Sequence, residues 1–343
     1  MTEPDLRNAA DSEASTSRLR GRHLAAGVFA ALAVGVLVVV GIGRLAGFAH
    51  LRDAVSGADY RWLAVCAAGQ TAVFAGYSGA LRNAIAVGDG ARVPVTTSIR
   101  LVLASFAATQ VFAFGGVAGL ALVYWALRRV GMQREQAAVR LIGLATAVYL
   151  MFGLLACSAA ALSLFDTSTP LAMKLSWLIA FPIVLLLARW FTTPSRMSRW
   201  VGGDGGWFRR ALGTGISAAA WVRGLTTNDR GQVLLGWAAL YWVGDIASLW
   251  AALHAFGVRP ALAPLALVYA TGYLAQSLPI PFIATGGVDA ATTFLLHVIG
   301  IPLDVALAGV IAHRLFAFWL PVIPGSIFAV TLPRLGVALE RST

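Results

Sequence analysis

Long apolar runs separated by short polar segments make up most of this chain. Residues 1–23 are the exception: they are rich in Ser, Thr, Asp and Glu and end in Arg18, Arg20 and Arg22. Such a segment cannot bury a core and reads as a disordered cytoplasmic tail. The first apolar run, 24–43, has about the twenty residues that a spanning helix needs. Gly47-Phe48-Ala49 offers the alternative of a cleaved signal peptide, but the run exceeds the ~7–15 residues of a signal core. Further apolar runs cover about 62–81, 99–127, 141–163, 174–191, 232–254, 262–299 and 305–331.

Two of these runs are too long for one helix and are interrupted. Gly115-Gly116 and Gly119 break 99–127, and Pro279, Pro281 and Gly286-Gly287 break 262–299. Proline removes a helix donor and glycine loosens the backbone, so a break is expected at each point. The pattern predicts an all-α polytopic membrane protein with about six full spans and two broken, re-entrant helical hairpins.

Loop charge orients the spans. The segment 192–231 carries Arg196, Arg199, Arg209, Arg210, Arg223 and Arg230 against Asp204 and Asp229, and reads as a cytoplasmic loop. Arg128, Arg129, Arg134 and Arg140 place 128–140 on the same side, whereas 164–173 holds one acid, Asp166, and no base, and suits the outside. Both termini, including the tail 334–343, then lie in the cytoplasm. The stretch 44–61, with Arg44, Arg52 and Arg61, lies outside if the first run spans, against its charge.

By this count the run 99–127 enters and returns from the cytoplasmic side, and 262–299 from the opposite side. Each half reads as span, broken hairpin, span, over about 62–163 and 232–331 of the transmembrane region 24–333. Gly115-Gly116-Val117 matches Gly286-Gly287-Val288, and Gly131, Ala137 and Ile142 match Gly300, Ala306 and Ile311. These matches favour an inverted-topology repeat, an architecture recurrent among transporters.

Composition agrees with the pattern. Hydrophobic residues make up 59% of the 343 and charged residues only 12%, with mean hydropathy +0.77. A soluble domain carries about 25% charged residues, so an ordinary soluble enzyme, a disordered chain and a fibrous protein are excluded. The net charge of +11 fits cytoplasmic loops beside anionic lipid rather than nucleic acid. Lys174 is the only lysine, so the basic charge is almost all arginine. Cys66 and Cys157 lie in apolar runs, without disulfide or zinc spacing, and read as packing residues.

A few polar residues remain inside the spans. Asp245 lies near the middle of 232–254, where a carboxylate costs about 2.5–3.5 kcal/mol unless paired, protonated or hydrated. It is either a structural ion pair or a coupling or substrate site. Arg314 lies about ten residues into the last span; it either pairs with Asp245 or Asp289 or captures a lipid phosphate through its two-pronged guanidinium. The adjacent His313 points to another side of the helix. Asp289 follows Gly286-Gly287 and would fall in the first turn of a half-helix beginning there, favoured by the helix dipole. Backbone freed at the broken hairpins can meet a lipid headgroup, which makes them the candidate polar pathway. The chain has no Walker loop, HExxH, GxSxG or Cys-x-x-Cys. No catalytic set, metal or cofactor is expected.

The C-terminal third carries Leu278-Pro279-Ile280-Pro281, Gly286-Gly287-Val288-Asp289, Gly300, Pro302, His313-Arg314-Leu315-Phe316, Phe318-Trp319-Leu320-Pro321 and Gly325. This pattern resembles the transmembrane-region family named after lysylphosphatidylglycerol synthase, the flippase-like domain proteins. Arg82 and Gly115-Gly116 are similar to that family's first half. The family usually has a glutamate where this chain has Asp289. The resemblance implies a lipid-handling protein of the plasma membrane, without the soluble aminoacyltransferase domain of bifunctional relatives, for which no room remains before Thr343.

The function expected on these grounds is a lipid flippase or flippase-like transporter of an anionic, aminoacylated or glycosylated lipid. Arg314 would hold the phosphate, and Asp245 or Asp289 would balance charge or take a proton. Gly286, Gly287, Pro279, Pro281, Gly115 and Gly116 would shape the path. The alternative is a non-transporting partner of a lipid- or glycan-modifying enzyme, docked through 192–231. A weaker third reading is a transferase acting on a polyprenyl-linked lipid.

Overall fold

The computed structural model describes residues 57–88, 91–111, 117–200, 206–274 and 283–330, with Gly336 and residues 339–340. The N-terminal tail and first apolar run, Gly115-Gly116, Pro279 and Pro281 lie outside the described residues.

Eleven helices follow one another among the described residues. They are α1 (Tyr60–Ala86), α2 (Val95–Val111), α3 (Val117–Arg129), α4 (Arg134–Leu162), α5 (Leu171–Phe191), α6 (Pro194–Trp200), α7 (Trp207–Leu225), α8 (Asp229–Ala255), α9 (Leu262–Tyr273), α10 (Ile283–Val298) and α11 (Leu303–Val330). Four are long and apolar enough to cross a membrane: α4, α5, α8 and residues 303–325 of α11.

The apolar runs become helices because their backbone groups have no other partner in hydrocarbon. Their ends are set by local chemistry. Asp59 caps α1 by accepting from Arg61 N–H at 2.9 Å, and Asn228 caps α8 by accepting from Arg230 N–H at 2.9 Å. Gly131 (φ 81°) follows α3 and Gly300 (φ 95°) follows α10. Their left-handed backbone returns the next amide to the helix: Met132 N–H donates to Leu127 O at 3.3 Å, and Ile301 N–H to Leu296 O at 3.1 Å.

The two long runs do divide into helix pairs, α2 with α3 and α9 with α10. The divisions differ in detail from the sequence expectation. Gly119 lies inside α3, not at a break, and packs against α2: a Cβ there would stand 2.6 Å from Ser105 O. Gly286 and Gly287 lie inside α10, which begins at Ile283, so Asp289 falls in the second turn rather than the first. Gly119 thus serves close packing between α2 and α3. The segment read as the loop 192–231 contains α6 and α7. Ile216, Val222 and Leu225 on α7 are buried at helical spacing, with α7 packed on α4.

The α1–α8 pair is the most extensive packing in the protein, and it is antiparallel. Asp59 N–H donates to Ala255 O and Arg230 Nη1 to Ala86 O, each at 2.9 Å. Between these ends small residues let the backbones touch. A Cβ on Gly69 would stand 2.8 Å from Gly244 O, and one on Gly76 would stand 2.6 Å from Tyr241 N. Small-residue contact of this kind replaces the hydrophobic effect as the driving force within lipid. Around the pair, Trp242 is fully buried against Phe152 and Tyr273 and donates from Nε1 to Val148 O at 2.7 Å. On the outside, Ile179, Ile183, Leu186 and Leu187 of α5 are exposed. An apolar face of this extent belongs in a bilayer.

Candidate functional site

The buried polar residues converge at one depth. Gln70 is about 15 Å along α1 from its start, Asp245 about 15 Å along α8 from its end, and His313 about 15 Å along α11 from its start. Because α1 and α8 run antiparallel, these positions coincide, near the middle of a ~30 Å hydrocarbon core.

Asp245 is the centre. Gln70 Nε2 donates to its Oδ1 at 2.7 Å, and Tyr269 on α9 donates its hydroxyl to Oδ2. His313 Nε2 stands 3.6 Å from Oδ1, too far for a formed hydrogen bond but close enough for strong coulombic coupling. The other ring nitrogen, Nδ1, lies 3.2 Å from Ser248 Oγ and 3.4 Å from Gln70 Nε2. Both neighbours can donate to Nδ1, an arrangement that favours the tautomer with its proton on Nε2, facing the carboxylate. Cys66 Sγ completes the row, 3.1 Å from Ser248 Oγ. Asp245 and His313 are each only 8% exposed.

A second, more open pair adjoins the first. Arg314 Nε lies 3.3 Å from Asp289 Oδ2, with side chains 30% and 19% exposed. One step along α11 separates His313 from Arg314, which turns them about 100° apart and sends them to different carboxylates. Of the partners sequence offered for Arg314, the structure selects Asp289, and Asp245 takes His313 instead. The site therefore has an enclosed layer, Asp245–His313, and an accessible layer, Asp289–Arg314. Gly287 and Gly286 stand in the helix just before Asp289.

Sequence reasoning did not single out Gln70, Ser248 or Tyr269. The available signal was an amide inside the apolar run 62–81 and a hydroxyl inside 262–273, each as out of place as Asp245. Cys66, read as a packing residue, is buried as expected but also touches the polar row. Both cysteines are free thiols. Among the described residues no group of three or more His, Cys, Asp or Glu is placed to hold a metal ion.

Apolar helices of spanning length, an outward apolar face and a polar cluster at mid-depth define a multi-pass membrane protein. The family model for the lysylphosphatidylglycerol synthase transmembrane region matches residues 28–325, and the chain belongs to that family. No curated protein matches the chain.

Proposed function

We propose that this protein is a lipid flippase or flippase-like transporter. It moves an anionic, aminoacylated or glycosylated lipid across the plasma membrane without chemical change to it. The observation that carries this reading is the Arg314–Asp289 pair, a guanidinium and a carboxylate at mid-membrane depth that retain solvent-accessible surface. An intramembrane charge is costly, and one that is not sealed inside protein is suited to a polar ligand. Arg314 would take the phosphate, and Asp289 would release it and balance the charge.

Alternating access would come from an inverted repeat. α1 and α8 have the same length, 27 residues. They carry matching caps, Asp59 and Asn228, and matching left-handed glycines beyond their ends, Gly88 and Gly257. α2 lies along α11 and α9 lies along α4, which is the exchange of partners expected for halves facing opposite ways. In this reading both termini and the Arg128–Arg140 region face the cytoplasm, and the two helix pairs enter from opposite sides. Single cysteines placed at 128–133 and at 300–304 should react with impermeant reagents from opposite faces; labelling from one face would overturn the repeat.

The function is tested in vesicles. Purified protein reconstituted with fluorescent anionic and glycosylated lipids should expose their headgroups to an external quencher faster than protein-free vesicles do. No acceleration for any lipid would overturn the proposal.

One observation favours a second reading, a docking partner for a lipid-modifying enzyme. The first turn of α7 presents Trp207 and Phe208, 81% and 66% exposed, next to exposed Arg209 and Arg210. Co-purification of a stable enzyme, lost in Arg209→Gln/Arg210→Gln, would support it over transport.

A further inference from the structure

We infer that the enclosed layer is a proton site, and that occupancy of the His313–Asp245 pair by one exchangeable proton drives the lipid movement proposed above, on which this inference rests. Among the described residues of the cluster, two carboxylates, Asp245 and Asp289, meet one obligate cation, Arg314. With His313 neutral, the described residues of the cluster carry one net negative charge at mid-membrane depth. One added proton, shared between His313 and Asp245, makes it neutral. A neutral cluster crosses between two orientations at far lower electrostatic cost than a charged one.

The surroundings select a proton over a metal cation. Asp245 meets donors on both oxygens, the Gln70 amide and the Tyr269 hydroxyl, whereas a sodium ion needs several oxygen acceptors turned toward it. The groups facing the pair from every packed helix fit the same conclusion. α1 supplies Gln70 and Cys66, and α8 supplies Ser248 and Tyr241. α9 supplies Tyr269, α10 supplies Asp289, and α11 adds Arg314. Arg314 is the one permanent cation among them, and it pairs with Asp289.

The balance of the step is simple. A proton enters from water, binds the His313–Asp245 pair, and leaves to the opposite side; no bond other than N–H or O–H forms or breaks. The pair also has a mechanical link to α9, where Tyr269 lies one turn before the helix ends. Protonation of Asp245 removes the charge that holds the Tyr269 hydroxyl and loosens α9 from α8. Deprotonation restores the grip.

The test uses the full protein in vesicles with fluorescent anionic lipid and a pH dye in the lumen. A gradient of about one pH unit, a tenfold ratio of proton activity, should speed headgroup exposure several-fold over the same vesicles held at either pH on both sides. The lumen pH should shift as lipid moves, and replacing sodium by choline should change nothing. Asp245→Asn and His313→Gln, near-isosteric variants checked for monodisperse elution, should lose the response to the gradient. Lipid movement in the wild type that ignores the gradient, or that follows sodium, overturns the proton site and leaves the transport reading intact. Absence of lipid movement under every condition overturns both.

Discussion

Asp245 and His313 come from helices α8 and α11, and their facing atoms, Oδ1 and Nε2, stand 3.6 Å apart beneath the surface of the bundle. The gap is bridged on one side by Gln70, which reaches both groups. Three helices thus converge on one carboxylate, and a fourth, α9, adds Tyr269.

The Tyr269 contact can be removed alone. Tyr269→Phe deletes the donor to Oδ2 and leaves the ring packing. Hydrogen bonds within membrane proteins contribute about 0.6–2 kcal/mol, so a loss of about 1 kcal/mol is expected, read as a lower apparent melting temperature. Unchanged stability would mean that Asp245 holds its place without α9.

Gly76→Ala should be more damaging than the change of one methyl suggests. The new Cβ would stand 2.6 Å from Tyr241 N and 2.8 Å from Trp237 O. Both are backbone atoms, so α1 and α8 must separate. Overpacking of this kind costs about 1–3 kcal/mol. Thermal unfolding of the detergent-solubilised variant checks it. Gly236→Ala on α8, where a Cβ meets nothing within 4 Å, should be neutral.

Arg140 holds the end of α1. Its Nη2 donates to Val87 O at 2.8 Å and its Nη1 to Ala84 O at 3.2 Å, with the guanidinium 5.0 Å from the Trp221 ring centroid on α7. Arg140→Ala leaves two helix-terminal carbonyls without this donor, a loss of about 2–3 kcal/mol. Hydrogen exchange should rise selectively at residues 84–88. Arg140→Lys should rescue only part, because an ammonium lacks the planar fork and the stacking face.

Asp166 provides a pH marker outside the spans. Its carboxylate accepts from Thr169 Oγ1 at 2.6 Å, Ser168 Oγ at 2.7 Å and Ser168 N–H at 3.1 Å. These bonds, from Thr169 first, lower its pKa from 3.8 to about 2. A carboxylate with a lowered folded pKa stabilises the fold above its unfolded value of about 4 and loses that contribution as pH falls toward 2. The carboxyl carbon resonance should titrate near pH 2, and the difference in melting temperature between wild type and Asp166→Ala should be constant above pH 5 and shrink below pH 4.

The apolar helices were legible because hydrocarbon forces apolar runs into helices whatever their neighbours. α7 was not, because its buried face is interleaved with arginines and glycines and its mean hydropathy resembles a loop. Within the site, Asp245, Asp289 and Arg314 stood out as charges in apolar runs. Their pairing did not: Gln70 and Asp245 are 175 residues apart, and only the antiparallel α1–α8 contact brings them to one depth. The position of Gly119 inside α3 was hidden for a related reason, since glycine can mark a break but here makes a close contact in a membrane bundle.

In the proposed transport cycle Arg314 holds the lipid phosphate. The direct measurement is the rate of headgroup exposure in vesicles containing wild-type protein, Arg314→Ala and Arg314→Lys at equal density and with confirmed folding. A charged hydrogen bond of about 1.5–3 kcal/mol corresponds to roughly a ten- to hundredfold change in rate. The expected result is a loss of at least about tenfold in Arg314→Ala with partial activity in Arg314→Lys. Wild-type rates in a folded Arg314→Ala would contradict the claim and leave Arg314 as the structural partner of Asp289.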